Sequence, residues 1–444
     1  MKRSAWRHLW KSKDIRRKLL ISLALLAIYR LASNVPVPGI NRELVAQLTQ
    51  TGGAAGGLIN MLDMLSGGAV SNFSVLSMGV YPYITAQIII QLLVPVIPAL
   101  ERRMQENPKE GRTWMEKWTI ILTVPMAALS AVGQINIFNA ILGQSVAAKF
   151  GFAGDVLIPT LATVISMIAG TMFGVWLGEL ISEFGVRGQG LSLIIFAGIV
   201  SKIPQNLLQL LSDESYWWLI FIVVALLIVT IFAVVYVQQG RRHVPVMFPG
   251  RRVGSRMSMP VKSSVPLMVN MAGMIPIIFA QSFITFPTIL ASFFNNSNVN
   301  WIRNTAAWIQ NVLGGDGVIY PIIFFILVVL FTFFYTDILF AQQNYGDNLK
   351  KQGAQIPGVA RGGPTQRYLT KVQRRITLPG ALFLGIVAAF PFFLALLLPE
   401  GLKQTSLFLV SSTGLLIVVG VVRDTFQIIE TELKMHGYDD RLIS

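Results

Sequence analysis

Long apolar runs separated by short polar segments dominate this chain. Ten runs approach the roughly 20 residues that a helix needs to cross a bilayer core about 30 Å thick. They are 19–35, 73–98, 118–138, 156–178, 190–211, 216–239, 267–290, 318–338, 379–398 and 405–422. The pattern predicts an all-α polytopic membrane protein with ten transmembrane helices.

Two short motifs recur five spans apart. Residues 79–86 and 273–280 both read G-x-x-P-x-I-x-A, and the glycine-bounded stretches 190–198 and 414–420 form a second pair. Because five is an odd number, the second copy enters the membrane with the opposite polarity. We therefore expect two inverted five-helix halves, 1–211 and 212–444, with the functional pathway between them. The alternative is that Gly, Pro and Ile recur by chance in membrane helices.

Composition excludes several classes of protein. With 53% hydrophobic and 13% charged residues and a mean hydropathy of +0.61, the chain is unlike a soluble globular domain. It contains no cysteine, which excludes disulfides and thiolate metal sites. It also lacks P-loop, H-E-x-x-H and G-x-S-x-G motifs, and its three histidines lie in polar segments. We expect neither an enzyme nor a cofactor.

The basic residues predict the orientation. With the N-terminus inside, 30 of the 36 Lys and Arg residues fall in cytoplasmic segments, and Arg30 lies within the first span. The outer loops contain only Arg42, Lys149, Lys202, Arg303 and Lys403. Because short basic loops stay on the cytoplasmic side, both termini are predicted to be cytoplasmic.

Charges inside the spans are few, which disfavours ion-coupled solute transport. Arg30 and Lys202 are explained by snorkelling of their long side chains toward the outer interface. A solute transporter with an inverted repeat is nevertheless the alternative function. It would require a compact polar site near the bilayer midplane.

One apolar segment is too short to span. Residues 56–68 have glycine at both ends and a helical apolar pattern between them. The segment either folds back into the protein as a plug that lines a cavity or lies on the outer surface as an amphipathic helix. The sequence favours neither alternative.

Two long cytoplasmic loops, 240–265 and 340–377, are strongly basic. The first alternates apolar residues around Pro249-Gly250, which predicts a projecting hairpin. Such loops bind phosphate backbones or acidic protein surfaces, or else only set the topology and meet anionic lipid. The candidate binding residues are Arg241, Arg242, Arg251, Arg252, Arg256, Lys350, Lys351, Arg361 and Arg367.

Several segments together resemble the SecY family of protein-conducting channels, and the resemblance extends from about residue 15 to the end of the chain. The matching segments are 35–39, 66–68, 77–93, 195–199, 270–276 and 415–419. One departure is Ala360, which stands where the family commonly has an arginine, with Arg361 next to it.

The resemblance implies a passive channel that passes unfolded preproteins outward and releases hydrophobic segments sideways into lipid. A lateral gate would lie between segments 2 and 3 on one side and segments 7 and 8 on the other. The implied pore ring, which would seal by dewetting, is Val80, Ile84, Ile195, Ile199, Ile278 and Ile417. The implied plug, within residues 57–71, includes Leu58, Ile59, Met61, Leu62, Met64 and Leu65.

The same resemblance implies partners and a location. The chain would form a heterotrimer with SecE and SecG in a bacterial plasma membrane, surrounded by membrane lipids. The basic loops would bind the ATPase SecA or the ribosome, including its rRNA, and these would drive transport. Signal sequences and preproteins would be the substrates, and SecDF and YidC would be accessory partners.

Overall fold

Helices make up most of the structure of this chain, which is a computed structural model. The structure describes residues 12–41, 69, 73–142, 146, 150–151, 156–212, 217–248, 252–253, 256–257, 261–294, 299–313, 319–397 and 407–435.

Each of the ten predicted apolar runs contributes a helix in the described part of the chain. These are α1 (Lys13–Ala32), α2 (Tyr81–Val96), α4 (Pro108–Leu142), α5 (Leu157–Phe184), α6 (Gly190–Ser212), α7 (Trp217–Gln239), α8 (Ile275–Ser292), α10 (Ile319–Gln343), α12 (Gly363–Leu397) and α13 (Leu407–Met435). Three further helices lie between them: α3 (Pro98–Glu106), α9 (Asn300–Leu313) and α11 (Tyr345–Lys351).

Within the described residues, four helical stretches are long and apolar enough to cross a membrane on their own. They are Lys109–Asn139, Leu157–Phe184, Ile275–Ser292 and Ile319–Lys351. The count of ten spans therefore stays a prediction, although all ten runs are helical.

Two helices begin later than their apolar runs predict. The run 73–98 continues through a turn before α2 begins at Tyr81, and the run 267–290 begins in a strand before α8 begins at Ile275. In both cases a glycine with positive φ precedes the helix, Gly79 at +53° and Gly273 at +65°. Hydropathy does not detect these breaks because the residues around both glycines are themselves apolar.

The first motif pair has the same local structure in both copies. In each copy the helix begins two residues after the glycine and has proline at its second position, Pro82 in α2 and Pro276 in α8. Proline fits there because an N–H in the first helical turn has no intrahelical partner. The second pair differs, since Gly190 begins α6 whereas Gly414 lies inside α13. The inverted arrangement of the halves remains a prediction.

One large hydrophobic cluster joins helices from both predicted halves. Its fully buried members include Tyr29 of α1, Leu177 of α5 and Phe324 of α10. A second cluster packs Phe73 edge-on against Phe138 of α4, with ring centroids 5.1 Å apart. The first cluster is the core in which the predicted pore residues lie.

A small β-layer lies beside the helices. Strand β1 (Arg241–Phe248) pairs antiparallel with β4 (Val261–Met268), and the register runs from Arg241 opposite Met268 to Phe248 opposite Val261. At the tip, β2 (Arg252–Val253) pairs with β3 (Arg256–Met257). The hairpin that the sequence predicts in the loop 240–265 is confirmed.

An ion pair joins helices near the two ends of the chain. Lys18 Nζ of α1 lies 2.9 Å from Glu432 Oε1 of α13, and it also lies 3.4 Å from Asp14 Oδ2. The Glu432 side chain is only 9% exposed, whereas that of Asp14 is 53% exposed. The hydrogen bond to Glu432 raises the pKa of Lys18 above its ordinary value. The pair therefore couples the first helix to the last.

Replacement of Glu432 should destabilise the protein. We expect Glu432→Gln to lower the free energy of unfolding by about 1–3 kcal/mol, because a partly buried ammonium loses its carboxylate. Since folding raises the pKa of Lys18, the contribution of the pair is complete below the ordinary lysine pKa of 10.5 and is lost as the pH rises beyond it. Thermal unfolding in detergent between pH 7 and pH 11 measures both effects.

Asp14→Asn provides the control. It removes the exposed partner of the same lysine and should cost less than about 0.5 kcal/mol. Equal effects of the two substitutions would contradict the assignment of Glu432 as the main partner.

Candidate functional site

The six predicted pore-ring residues lie in one hydrophobic cluster. Val80 immediately precedes α2, and the others lie on four helices that surround the cluster. Five are buried, while Ile278 is half-buried and packs against them. The residues and their helices are Ile84 on α2, Ile195 and Ile199 on α6, Ile278 on α8, and Ile417 on α13. The structure thus brings together residues that are up to 337 positions apart in the sequence.

The named plug residues from Leu58 to Leu65 lie outside the described residues. Ala69, near the end of the predicted plug segment, is described and is completely buried in the cluster that holds the ring residues. Its carbonyl oxygen accepts hydrogen bonds from the backbone N–H and the Oγ of Ser74, both at 3.3 Å. Ala69 therefore belongs to the same apolar core as the ring residues.

The turn between Ala69 and α2 is tied to the segment that follows α1. The N–H of Val75 donates to the carbonyl of Val35 at 2.9 Å, and the N–H of Val37 donates to the carbonyl of Phe73 at 3.3 Å. Thr163 Oγ1 of α5 donates to the carbonyl of Pro38 at 3.1 Å. Residues 35–39, which include two prolines and a glycine, thus hold in place the turn that precedes α2.

Helices α2 and α4 contact α8, the interface at which the sequence places the lateral gate. Tyr81 Oη donates to the carbonyl of Ser282 at 3.3 Å, and Ser292 Oγ lies 3.3 Å from the carbonyl of Gly133. A Cβ at Gly133 would overlap Ile289 Cγ2. The two sides of the predicted gate are therefore closely packed.

Buried polar side chains lie on the helices of this interface. Ser77 Oγ donates to Gln134 Oε1 at 3.3 Å. Three buried atoms have no hydrogen-bond partner among the described residues: Ser130 Oγ, Gln134 Nε2 and Ser282 Oγ. Each such group costs about 1–3 kcal/mol. Sequence analysis missed this set, although Ser and Gln within apolar runs were a visible signal.

The two basic loops form one folded unit. The N–H of Met247 donates to the carbonyl of Gln355 at 2.8 Å, and the N–H of Gln355 donates back at 2.9 Å. Beneath this bridge, Val244 and Val246 of β1 pack with Ile356 and Leu369 in a separate hydrophobic cluster. The loops therefore project from a common core.

Most of the predicted docking residues are displayed on this unit. The exposed ones are Arg241 and Arg242 on β1, Lys350 and Lys351 on α11, Arg361, and Arg367 on α12. Arg252 and Arg256 lie in the short strands β2 and β3 at the tip. Arg251 lies outside the described residues.

Comparison with known proteins identifies the family. The SecY family model matches residues 74–426. A relative named protein translocase subunit SecY, from Streptomyces griseus, is 37% identical over 442 residues, which cover 98% of this chain and 99% of the relative. The chain belongs to the SecY family.

Solved structures agree with this membership at the level of the fold. A structure described as the plug domain of the SecY protein stabilizing the closed state of the translocation channel aligns with a TM-score of 0.58 and 17% identity, covering 99% of this chain and all of that chain. Sec61 in a canine ribosome-channel complex from the endoplasmic reticulum aligns with a TM-score of 0.56 and 16% identity, with the same coverage. The predicted helical channel fold is confirmed.

Membership of the SecY family also confirms the predicted activity. The chain is the membrane channel subunit of a protein translocase, and a SecY channel subunit is not itself an enzyme. A channel subunit therefore needs a seal that can open, rather than a catalytic site.

The close approach at Gly133 generates a prediction for this SecY channel. Gly133→Ala should force α4 away from α8 and destabilise the packed interface by about 1–3 kcal/mol. If this cost falls on the closed state alone, the open population rises about 5- to 150-fold. Conductance of the assembled translocase in planar bilayers, without precursor, should rise accordingly.

Gly170→Ala is the matched control. A Cβ at Gly170 would overlap the carbonyl of Val75, a contact within the predicted N-terminal half and outside the gate. This variant should lose stability without a gain in conductance. A similar rise in both variants would refute the gate assignment of Gly133.

Proposed function

We propose that this SecY chain seals its pore with a ring formed by Val80, Ile84, Ile195, Ile199, Ile278 and Ile417. The observation that carries the proposal is their convergence in one apolar cluster built from helices of both halves. A constriction of branched aliphatic side chains excludes water and ions by dewetting and needs no charged gate. Such a ring widens for a polypeptide and closes again without breaking any directional bond.

Segment 57–71, including Leu58, Ile59, Met61, Leu62, Met64 and Leu65, acts in our proposal as the plug. The structural neighbour described by its plug domain is one support for this role. The burial of Ala69 in the hydrophobic cluster that also contains the ring residues is the other. An apolar segment held at one end beside a constriction is able to close it and to swing away.

Lateral release proceeds, we propose, between α2 and α4 on one side and α8 and α10 on the other. Two hydrogen bonds to backbone carbonyls and a small apolar contact of Tyr81, Ile137 and Ile289 join α2 and α4 to α8. Gln134 Nε2 and Ser282 Oγ, which have no hydrogen-bond partner among the described residues, weaken the same interface. Parting of these helices would let a hydrophobic segment reach lipid.

The driving force comes, in our proposal, from partners that bind the loops 240–265 and 340–377. SecA and the ribosome, through rRNA, are the candidates, because a rigid basic surface suits phosphate or acidic protein. SecE and SecG would complete the heterotrimer, with SecDF and YidC as accessory partners and membrane lipids around it. The charge distribution supports a bacterial plasma membrane location with both termini cytoplasmic.

The alternative of a solute transporter is less well supported. Such a protein needs a polar site at the midplane. The SecY family model that matches residues 74–426 does not favour this alternative. Solute uptake by the purified chain, without a motor or ribosome, would favour the transporter.

Crosslinking tests the pore directly. A photoreactive amino acid at Ile84 or Ile278 should crosslink to a stalled secretory precursor, because both positions line the proposed path. Ile386 on α12 is the matched control, since it is also an isoleucine but is 57% exposed on the outside of the bundle. Absence of crosslinks at both pore positions, or equal crosslinking at Ile386, would defeat the proposal.

Charge reversal tests the docking surface. Lys350→Glu combined with Lys351→Glu should weaken binding of the ribosome or SecA, because both side chains are exposed on α11. Where RNA phosphates are the partner, the slope of log affinity against log salt should become shallower by about 1 for each phosphate that is no longer neutralised. Arg303→Glu, on the predicted outer face, is the control. Unchanged affinity in the double variant would remove α11 from the docking surface.

A further inference from the structure

Helix α9 (Asn300–Leu313) has no role in the channel function described so far. It follows α8 and precedes α10, the two helices of the C-terminal half that border the proposed gate. It packs against both of them. By the predicted topology this helix lies on the outer side of the membrane, so the inference that follows rests on the proposed orientation.

The sequence of α9 divides its surface into three faces. One face packs on the protein: Ala306 is 3% exposed, and Leu313 contacts the large hydrophobic cluster. Ile302 and Ile309, four residues before and three after Ala306, are half-buried on that face. These positions recur at the spacing of one face of a helix.

The second face is aromatic and exposed. Trp301 is 70% exposed and Trp308 is 64% exposed. Seven residues place the two indoles two turns apart on the same side of the helix, about 10 Å from each other along its axis. The third face is polar and presents Asn300 and Arg303, both exposed and joined by a hydrogen bond from Arg303 Nη2 to Asn300 Oδ1 at 3.2 Å. Asn304 and Asn311, also exposed, border the tryptophans.

Exposed apolar side chains also occur where the two flanking helices approach α9 in the sequence. Phe294, just beyond the end of α8, is 51% exposed, and Ile319 and Ile322 at the start of α10 are 54% and 47% exposed. Both flanking helices are apolar enough to cross a membrane. The tryptophans therefore lie where the lipid-facing surface of the bundle meets its outer end.

We infer that α9 is an interfacial anchor that lies in the headgroup region of the outer leaflet. Tryptophan prefers that region, because its ring is apolar while its N–H still reaches a hydrogen-bond acceptor. The polar face contacts water, and the buried face packs against the channel. The outer ends of α8 and α10 are thereby tied to the membrane surface.

A protein partner fits this face less well than lipid. Two tryptophans bury at most about 300–500 Å², whereas a specific interface needs about 800 Å² on each partner. The exposed asparagines beside them are also typical of the wet side of an interfacial helix rather than of the centre of a protein interface.

Because the chain contains no cysteine, a single introduced cysteine can be labelled specifically. Single cysteines at positions 301, 308, 300 and 303 are labelled with a nitroxide in the assembled translocase, reconstituted in phosphatidylethanolamine and phosphatidylglycerol vesicles. The ratio of collision with oxygen to collision with a water-soluble nickel chelate should be severalfold higher for Trp301→Cys and Trp308→Cys than for Asn300→Cys and Arg303→Cys.

Equal ratios at Trp308→Cys and Arg303→Cys would place the helix in water and overturn the anchor. Inaccessibility of Trp308→Cys to both reagents would mean that protein covers the face, and would also overturn it. Bromolipid quenching provides a second measurement that needs no label: the quenched fraction of tryptophan fluorescence should fall in the Trp301→Phe, Trp308→Phe variant. Crosslinking at Ile84 tests the channel separately, so failure of one proposal is distinguishable from failure of the other.

Discussion

The apolar contact between helices of the two halves is the constraint on which the rest of this structure depends. Val80, Ile84, Ile195, Ile199 and Ile417 are buried in one cluster, with Ile278 packed against it. Hydrophobic contact is non-directional and follows the area removed from water. Such a contact therefore packs tightly when the predicted halves meet, and it leaves no unpaired buried charge when they separate. The polar atoms of α4 and α8 are less well satisfied, because Gln134 Nε2 and Ser282 Oγ are buried without a hydrogen-bond partner among the described residues. Opening would hydrate these groups, which offsets part of the cost of separating the apolar surfaces.

A second core supports the proposed docking surface, and an ion pair links it to α10, a helix that borders the proposed gate. Val244, Leu349 and Leu369 pack together between the hairpin, α11 and α12. Arg374 of α12 also forms a bidentate pair with Asp337 of α10, with Nε 3.1 Å from Oδ1 and Nη2 3.0 Å from Oδ2. The basic side chains thus stand on a scaffold with its own packing. A partner that binds such a scaffold does not have to order a loop first. The entropic cost of binding is therefore lower.

Much of the fold is predictable because hydropathy and alternation are local signals. They predict the ten apolar runs and the β1–β4 hairpin. They do not predict where α2 and α8 begin, because the glycines that stop each helix lie inside apolar sequence. Nor do they predict Lys18 with Glu432, which are 414 residues apart. The pore ring follows from the family resemblance, since an isoleucine in the membrane is otherwise ordinary packing. The buried polar atoms at the proposed gate could be identified only from the structure, because the sequence does not show which helices contact each other.

The repeated motif G-x-x-P-x-I-x-A determines where two of the proposed pore-ring isoleucines lie. Ile84 and Ile278 are its sixth residue in the two copies, and each is the fourth residue of its helix. The left-handed glycines Gly79 and Gly273 set that position, since each helix begins two residues later. A shift of either helix start by one residue would turn its isoleucine by about 100° around the helix axis. The glycine is thus as important to the seal as the isoleucine. Because each predicted half supplies one such isoleucine, the proposed seal depends on contact between the two halves.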